Sequence, residues 1–293
     1  MLTAGIDVGS TYTKAVVLGG ESPRILGRAV LKTGFRLAEA AQRAYDEALA
    51  DAGVHADDVQ YIVGTGYGRA QIHFADVHVT DLTSAARGAC FLFPDTRTIL
   101  DVGGQTMKAT RIDAAAKVRS FRLNDKCAAG TGAFLEKTAR YLGYSTTEIG
   151  PLAAMSRSPV PISGVCAVFA ESEVINSLSQ GSSPADIMQG AINSLVDRSI
   201  QLMRRVQLEP HYTLVGGILR FESMAATLAE KLGADVHVPA PDIVQLVGAI
   251  GAAVLGRQRA AARTRLPREA QSITNNAPTA NNGAAITKLH DIG

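Results

Sequence analysis

A pattern that occurs twice in this sequence constrains the fold more than any other feature. An apolar strand ends in an Asp-x-Gly turn and a second strand returns as a hairpin, once from Asp7 through Lys14 and again from Asp101 through Lys108. The copies share Asp-Val-Gly at the start and Lys at the end, and they differ in the turn residues between them. An internal repeat of this kind is typical of two lobes that share one supersecondary unit. We therefore predict an α/β fold with two duplicated lobes.

The predicted elements divide the chain into two lobes and a tail. Residues 1–95 form the first lobe, which a closing helix at 243–260 completes, and residues 96–242 form the second lobe. After Pro267 the composition changes to Ser, Asn, Thr, Ala and Gly, which bury little surface, and we predict a disordered tail over 261–293. The helices expected in the second lobe lie at 127–143, 167–180 and 184–207.

Composition narrows the class of protein. A chain of 293 residues with 46% hydrophobic content can bury real cores. Lys and Arg total 29 against 27 for Asp and Glu, so the chain lacks the basic field of a nucleic-acid-binding protein. The first residues do not read as a secretory signal, and no apolar run reaches the ~18 residues that span a bilayer. We expect a cytoplasmic protein without a membrane segment.

The duplicated turns suit a magnesium-nucleotide. Backbone N–H groups in such a turn face phosphate oxygens, while the carboxylate organises Mg²⁺ and its waters. A side chain at Gly9, Gly103 or Gly104 would hold the backbone away from the phosphates. One Asp-x-Gly turn is equally typical of a simple hairpin, but the pair, together with Gly216-Gly217 after a third strand, favours a nucleotide site.

Two other phosphate-binding patterns are excluded or weak. No G-x-x-x-x-G-K-[ST] loop occurs in the chain. The stretch from Gly64 through Arg69 lacks the third glycine of a dinucleotide fingerprint at the proper spacing. We interpret it as a tight turn after a buried strand.

The chain has three cysteines, and an odd number in a chain of this class argues against a disulfide scaffold. Cys127 stands near the start of a predicted helix that Asp125 or Asn124 could cap, and Cys166 also precedes a predicted helix. A helix N-terminus lowers the pKa of a thiol and donates N–H groups to an anionic centre. Cys90, in an apolar stretch, is interpreted as a core thiol. The residues alone leave open that all three cysteines are structural.

Five segments together carry a family resemblance. In order along the chain they are GIDVGST-x-x-K, GTGYGR, D-V-G-G-Q, NDKCAAGTGAFLE and VCAVFAESEVI. Over about residues 4–256 the chain resembles the activators of 2-hydroxyacyl-CoA dehydratases and the ATP-binding subunits of ATP-dependent benzoyl-CoA reductases. Its turns resemble the phosphate and adenosine motifs of the actin, Hsp70 and sugar-kinase superfamily. The resemblance implies an actin-like ATPase of two ribonuclease-H-like lobes.

The resemblance also implies the cofactors and site residues. It implies ATP and Mg²⁺ between the lobes, with Asp7 and Asp101 positioning Mg²⁺ and water and Gln105 orienting the attacking water. It implies a 4Fe-4S cluster at a dimer interface, to which each subunit contributes Cys127 and Cys166, since two cysteines cannot complete a four-thiolate shell. The positions expected to contact the nucleotide are Gly9, Ser10, Thr11, Tyr12, Thr13, Lys14, Gly103, Gly104, Gln105, Gly216, Gly217 and Gln245.

A function follows from the resemblance. The chain would take an electron from reduced ferredoxin and use ATP to pass it, through the cluster, to the catalytic subunits of a thioester reductase or dehydratase. Its dimer partner would be an identical or homologous subunit. Thr106, where activators usually have Asp, favours the smaller ATP-binding subunit of benzoyl-CoA reductase in anaerobic aromatic degradation. A homodimeric dehydratase activator is the alternative.

Two readings of another class remain open at this point. A small-molecule kinase of the same superfamily would have a polar substrate pocket and no cluster, and an actin-like scaffold would polymerise with nucleotide and contain no iron. The histidines are expected in surface roles. Glu136, Glu171 and Glu173, near the cysteine segments, are expected to be solvated or to form ion pairs.

Overall fold

Two five-stranded sheets form the frame of the protein in the computed structural model, which describes residues 1–125, 127–163 and 167–265. The first sheet contains β1 (Leu2–Val8), β2 (Tyr12–Gly19), β3 (Arg24–Lys32), β4 (Val59–Thr65) and β5 (Val77–His78). The second contains β6 (Thr98–Val102), β7 (Met107–Ile112), β8 (Val118–Asn124), β9 (Tyr212–Val215) and β10 (Val236–His237). The strand order of the first sheet is β3-β2-β1-β4-β5. Read in the same direction, the order of the second sheet is β8-β7-β6-β9-β10, so the second sheet repeats the first strand for strand. The predicted two-lobed α/β fold is confirmed.

The two leading hairpins share one register. Antiparallel β1 and β2 pair Asp7 with Lys14, and antiparallel β6 and β7 pair Asp101 with Lys108. β4 and β9 then add in parallel to β1 and β6. Residues directly opposite each other on an antiparallel pair lie on the same face of the sheet. Each central strand therefore carries a carboxylate beside a lysine on its neighbour.

Eight α-helices cover the sheets within the described ranges. They are α1 (Leu37–Ala52), α2 (Asp81–Leu92), α3 (Gly132–Tyr141), α4 (Ile149–Ala154), α5 (Ala167–Ser179), α6 (Pro184–Arg204), α7 (Glu222–Leu232) and α8 (Val247–Arg265). The helices predicted at 167–180 and 184–207 are present with ends that differ by three residues or fewer. No described helix combines the length and apolar character that crossing a bilayer requires.

The segment predicted as one helix over 127–143 is divided. A 3₁₀ turn covers Ala128–Gly130, Thr131 is extended, and α3 begins only at Gly132. The Thr131 hydroxyl donates to the Ala128 carbonyl at 2.8 Å, a local hydrogen bond that competes with a continuous helix. Cys127 therefore precedes a single 3₁₀ turn and not the α-helix.

The closing helix belongs to the first lobe. Ala249, Ile250 and Ala253 of α8 are fully buried against Val16 and Leu18 of β2. Burial of such aliphatic side chains stabilises the lobe by roughly 1.5–3 kcal/mol for each large one. A separate and larger core fills the second lobe, where α3, α6 and α7 pack on the second sheet.

The helix α8 is shifted relative to its prediction. It begins at Val247 and ends at Arg265, against predicted bounds of 243 and 260. Residues 261–265, expected in the tail, therefore form the end of a helix. Residues 266–293 lie outside the described residues.

Candidate functional site between the two lobes

A cleft of about 880 Å³ opens between the two sheets where the hairpin turns face each other. This volume lies in the range of small-molecule sites, about 300–1,000 Å³. The structure brings together every predicted nucleotide and catalytic residue except Thr13. The predicted residues that line the cleft are Asp7, Gly9, Ser10, Thr11, Tyr12, Lys14, Asp101, Gly103, Gly104, Gln105, Gly216, Gly217 and Gln245.

Thr13 does not face the cleft. Its side chain is fully buried and shares a 3.0 Å hydrogen bond with the hydroxyl of Thr33. Successive side chains of a strand point to opposite faces, so Thr13 turns away while its neighbours Tyr12 and Lys14 face the site. The Thr33 hydroxyl in turn lies 2.8 Å from the Gly9 carbonyl. Thr13 therefore supports the first turn from behind.

The two turns have the same backbone geometry. The Gly9 N–H donates to the Tyr12 carbonyl at 3.1 Å, and the Gly103 N–H donates to the Thr106 carbonyl at 2.9 Å. The two segments also have equal length, so the differences noted in the sequence are differences of side chain. The main chains of the two turns are therefore symmetrical.

The turns approach each other closely across the cleft. A Cβ atom added to Gly104 would lie 2.6 Å from Oγ1 of Thr11, in the opposite lobe. Only a residue without a side chain allows this approach. The same absence leaves the main chain of Gly104 open to the cleft.

Behind the second turn stands the start of α3. The N–H groups of Gly132 and Ala133 donate to the carbonyls of Gly103 and Gly104, each at 2.9 Å. The expectation that a helix N-terminus donates N–H groups to an anionic centre at Cys127 is therefore wrong for these two groups. They connect the cysteine segment to the second turn instead.

Lysine and aspartate side chains form the charged floor of the cleft. Nζ of Lys14 lies 3.0 Å from Oδ2 of Asp7. Nζ of Lys108 lies 2.8 Å from Oδ2 of Asp81 and 3.4 Å from Oδ2 of Asp101. Burial alone would lower the pKa of Lys108, but the charges of Asp101 and Asp81 raise it above its ordinary value.

Asp81 is a site residue that the sequence did not single out. It is the first residue of α2, after the N-cap Thr80, whose hydroxyl accepts from the Thr83 N–H. Burial alone would raise the pKa of Asp81, but the charge and hydrogen bond of Lys108 bring it below its ordinary value. The local sequence indicates only an acidic residue in the first turn of a helix. Its contact with Lys108 joins the two lobes and has no local signal.

The stretch Gly64 through Arg69 is also part of the site. Gly66 has a φ of +90°, and a Cβ there would lie 2.4 Å from Oδ1 of Asp7. Gly66, Tyr67 and Arg69 line the cleft. The interpretation as a tight turn after a buried strand describes the backbone but leaves out this role.

The Gly216-Gly217 segment forms the opposite wall of the cleft. The Gly216 N–H donates to the Val244 carbonyl at 3.1 Å, and the side chain of Gln245 lies against Gly217. Arg220, from the 3₁₀ turn that follows, lines the same cleft. Residues distant in the sequence thus meet at the wall expected to hold the adenosine.

Cys127 lies near this cleft but outside it. Its Sγ accepts a hydrogen bond from Nη1 of Arg198 on α6, at 3.1 Å. Asn124, and not Asp125, holds its main chain: Oδ1 accepts from the Cys127 N–H at 3.3 Å and Nδ2 donates to the Cys127 carbonyl at 3.2 Å. A cationic donor beside a partly buried thiol suits a thiolate ligand.

The other predicted ligand, Cys166, lies outside the described residues. Within the described ranges, no three His, Cys, Asp or Glu side chains converge on a metal position. A cluster at Cys127 therefore needs further ligands. Cys90 packs partly buried against apolar residues, and burial raises the pKa of its thiol, as fits a core cysteine.

The acidic residues near the cysteine segments have three different settings. Glu171 forms an ion pair with Lys137 at 2.6 Å. Glu173 accepts a hydrogen bond from the main-chain N–H of Ser163. Glu136 lines the cleft, which the sequence did not predict.

The residues present fit a magnesium-nucleotide. Two carboxylates supply the hard oxygen ligands that Mg²⁺ and its waters prefer. The glycine turns expose main chain, and lysines supply positive charge for phosphate oxygens. Asp7 and Asp101 would face the cation and Lys14 the phosphates.

Comparisons with known proteins agree with this geometry. Residues 4–256 match the model of the BadF/BadG/BcrA/BcrD ATPase family. The activator of lactoyl-CoA dehydratase from Anaerotignum propionicum is 40% identical over 261 residues, which cover 89% of this chain and 99% of the relative. A benzoyl-CoA reductase subunit from Thauera aromatica is 37% identical over 269 residues, covering 88% of this chain and 94% of the relative.

A solved structure shares the whole architecture. The activator of the 2-hydroxyisocaproyl-CoA dehydratase from Clostridium difficile, with bound ADPNP, superposes with a TM-score of 0.84 at 35% identity. The match covers 91% of this chain and 98% of that one. Similarity therefore extends over both lobes and the cleft.

Proposed function

Since the chain belongs to the BadF/BadG/BcrA/BcrD ATPase family, we propose that it is an ATP-hydrolysing activator that passes low-potential electrons to a catalytic thioester reductase. Ferredoxin would supply the electrons. A 4Fe-4S cluster shared between two subunits would carry them, with Cys127 and Cys166 as the ligands from each subunit. The partner subunit would be an identical or a homologous chain.

One observation carries this proposal: the second glycine turn, which lines the cleft, is joined to the cysteine segment by main-chain hydrogen bonds. The Gly103 and Gly104 carbonyls accept from Gly132 and Ala133, five and six residues after Cys127. When phosphate leaves the second turn, a shift of that turn would move the start of α3. Movement at the nucleotide would thus reach the cysteine segment through a short stretch of hydrogen-bonded main chain.

The cleft residues would position ATP for hydrolysis. Asp7 and Asp101 would accept hydrogen bonds from the waters of Mg²⁺, and Lys14 would neutralise phosphate charge. Gln105, in the second turn, would orient the attacking water. These groups would stabilise the charge that develops as the attacking water bonds to the γ-phosphorus and the bond to the leaving ADP oxygen breaks.

The cluster, when bound, would supply one-electron transfer at low potential. Arg198 would stabilise the anionic charge on the sulfur of Cys127, from which it lies 3.1 Å away. A chain with two such cysteines would require a second subunit to complete four thiolates.

The finer assignment concerns the partner enzyme. Thr106, which lines the cleft where dehydratase activators usually carry Asp, supports a benzoyl-CoA reductase component of anaerobic aromatic degradation. The alternative is an activator of a 2-hydroxyacyl-CoA dehydratase, and relatives of both kinds have similar identity to the chain, 40% for the lactoyl-CoA dehydratase activator and 37% for the benzoyl-CoA reductase relative.

Anaerobic purification tests the cluster. We expect a brown protein with about four irons per dimer. Cys127→Ser and Cys166→Ser should each lose iron and colour, while Cys90→Ser, the matched control, should keep both. Iron-free protein that still drives ATP-dependent reduction would contradict the proposal. A colourless protein that phosphorylates a small acceptor would indicate a kinase, and nucleotide-dependent filaments a scaffold.

Reconstitution identifies the partner. The anaerobic protein would be mixed with the catalytic subunits of benzoyl-CoA reductase or of a 2-hydroxyacyl-CoA dehydratase, with reduced ferredoxin and ATP. ATP-dependent loss of benzoyl-CoA supports the first assignment. Turnover only with the dehydratase would support the alternative.

A further inference from the structure

The two Asp–Lys pairs of the cleft differ in their charge. In the first lobe, Lys14 lies 3.0 Å from Asp7 and forms no second ion pair with any described residue. That pair is electrically neutral. In the second lobe, Lys108 is shared between Asp101 and Asp81, so one ammonium faces two carboxylates.

The sharing is unequal. Lys108 lies 2.8 Å from Asp81 but 3.4 Å from Asp101, and 3.4 Å is longer than a normal N–H···O hydrogen bond. Asp81 also accepts from the Leu82 N–H at 3.0 Å. The side chain of Asp101 has no other hydrogen bond among the described residues. Asp101 is therefore the least satisfied of the three carboxylates on the cleft floor.

Burial makes this unequal sharing consequential. The Lys108 side chain is only 17% exposed, so water cannot satisfy it fully and its charge acts over short distances with little screening. Without Asp81, Asp101 would be the only carboxylate within ion-pair distance of Lys108 in the described ranges. The ammonium would then be expected to close on Asp101 and form a neutral pair like Asp7–Lys14.

We propose that Asp81 is a positioning residue for the magnesium-nucleotide: it holds Lys108 away from Asp101 and so leaves Asp101 free to receive the hydrated cation. The assignment rests on the proposed function of the cleft as an ATP site. Asp81 reaches across from the first lobe to Lys108 in the second, so the cation site depends on both lobes being in contact. Arg69 lines the same cleft and forms no ion pair with Asp81 among the described residues.

Binding of Mn²⁺ together with ADP tests the assignment without any enzymatic turnover. Mn²⁺ prefers the same oxygen ligands as Mg²⁺ and is followed directly by electron paramagnetic resonance. Asp81→Asn keeps the shape and the acceptor for the Leu82 N–H but removes the charge that holds Lys108. We expect Mn²⁺ binding to weaken about tenfold, while ADP binding without metal changes less than about threefold.

A double variant separates positioning from direct binding. Asp81→Asn combined with Lys108→Gln removes the displaced ammonium as well, so Mn²⁺ affinity should return to within about threefold of the wild type. If Asp81 itself held the cation, the double variant would bind as weakly as the single one, and the proposal would be overturned. Asp81→Ser, judged by the same measurements, replaces Asp81→Asn if the latter does not fold.

The control is Asp242→Asn, which removes an exposed ion pair with Arg28 outside the cleft. It should leave Mn²⁺ and ADP binding unchanged. Normal Mn²⁺ binding by Asp81→Asn, with tight wild-type binding, would overturn the positioning role alone. Wild-type protein that binds neither ADP nor Mn²⁺ would contradict the proposed nucleotide site and with it this assignment.

Discussion

The first and second turns of the cleft share one main-chain geometry but are supported by different groups. The Thr33 hydroxyl, which also bonds Thr13, supports the Gly9 carbonyl of the first turn. Main-chain N–H groups at the start of α3 support the second turn. The first support ends in its own lobe, whereas the second continues toward Cys127. Duplication thus supplied a symmetrical cradle, and the elements packed behind it made the two halves different.

The connections after each hairpin differ in the same sense. In the first lobe α1 is the only α-helix between β3 and β4. In the second lobe α3, α4, α5 and α6 lie between β8 and β9, with both predicted cluster cysteines between β8 and α5. The added elements are those that carry the proposed electron-transfer function. The following predictions test whether this asymmetry matters.

The largest effect is expected from the two aspartates. Asp101→Asn should lower the rate of ATP hydrolysis at saturating ATP by about 10²–10³-fold, because it removes the freer carboxylate at the cation. Asp7→Asn should cost about tenfold less, since Lys14 already neutralises Asp7. Phosphate release measured at several Mg²⁺ concentrations checks both. Equal losses would mean that the two turns are functionally symmetrical.

A smaller effect is expected where the turns meet. Gly104→Ala would place a Cβ 2.6 Å from the Thr11 hydroxyl and push the lobes apart. Overpacking of this kind costs about 1–3 kcal/mol, so kcat/KM for ATP should fall at least about fivefold. The matched control is Gly256→Ala in α8, outside the cleft, where an added Cβ would lie 3.3 Å from Cγ2 of Val63. Steady-state kinetics measures both variants. Similar kcat/KM values for ATP in the two would argue against close contact of the turns.

The support of the first turn can be broken separately. Thr33→Val removes the hydroxyl that bonds both Gly9 and Thr13, and should lower the free energy of unfolding by about 1–2 kcal/mol. Thr13→Val removes one hydrogen bond and leaves the Gly9 contact, so we expect about half that cost. In the second lobe the position of Thr13 is occupied by Met107, which is buried in an apolar core and has no hydroxyl to support its turn. Urea unfolding measures both losses. A larger loss of free energy of unfolding for Thr13→Val than for Thr33→Val would contradict this account.

The smallest effect is expected at Asp186, which connects the segment 156–158 to α6 in the second lobe. Asp186 accepts hydrogen bonds from the Ser183 and Ser156 hydroxyls and from the main-chain N–H groups of Ser158 and Arg157. These hydrogen bonds hold the pKa of Asp186 well below its ordinary value, and the bond from Ser183 contributes most. The pKa is depressed in the folded protein, so the stabilisation is complete above the unfolded pKa of about 3.9 and is lost as the pH falls below it.

Asp186→Asn should therefore lower the melting temperature by about 2 °C at pH 7 and by much less near pH 2. Scanning calorimetry at the two pH values measures the difference. Asp242→Asn, whose carboxylate lies outside this segment, serves as the comparison. A loss that is the same at both pH values would show that the carboxylate charge is not what anchors the segment.

Much of the fold could be predicted because its signals are local. The alternation of apolar residues, the Asp-x-Gly turns and the helical spacing of α1, α5 and α6 depend on neighbours within a few residues. The division of the helix over 127–143 was missed because the Thr131 hydroxyl bonds the Ala128 carbonyl. That side-chain hydrogen bond is also local, but apolar spacing does not register it.

The two-lobed frame was predictable from the sequence alone, and all but one of the nucleotide and catalytic residues predicted from it line the cleft, since strand ends and glycine turns are specified locally. The contact of Asp81 with Lys108, the approach of Gly66 to Asp7 and the support of the second turn by α3 became visible only in the folded structure. Each of these contacts joins elements distant in the chain. Their energies depend on separations of a few ångströms at a partly buried site, and packing of the whole molecule sets those separations.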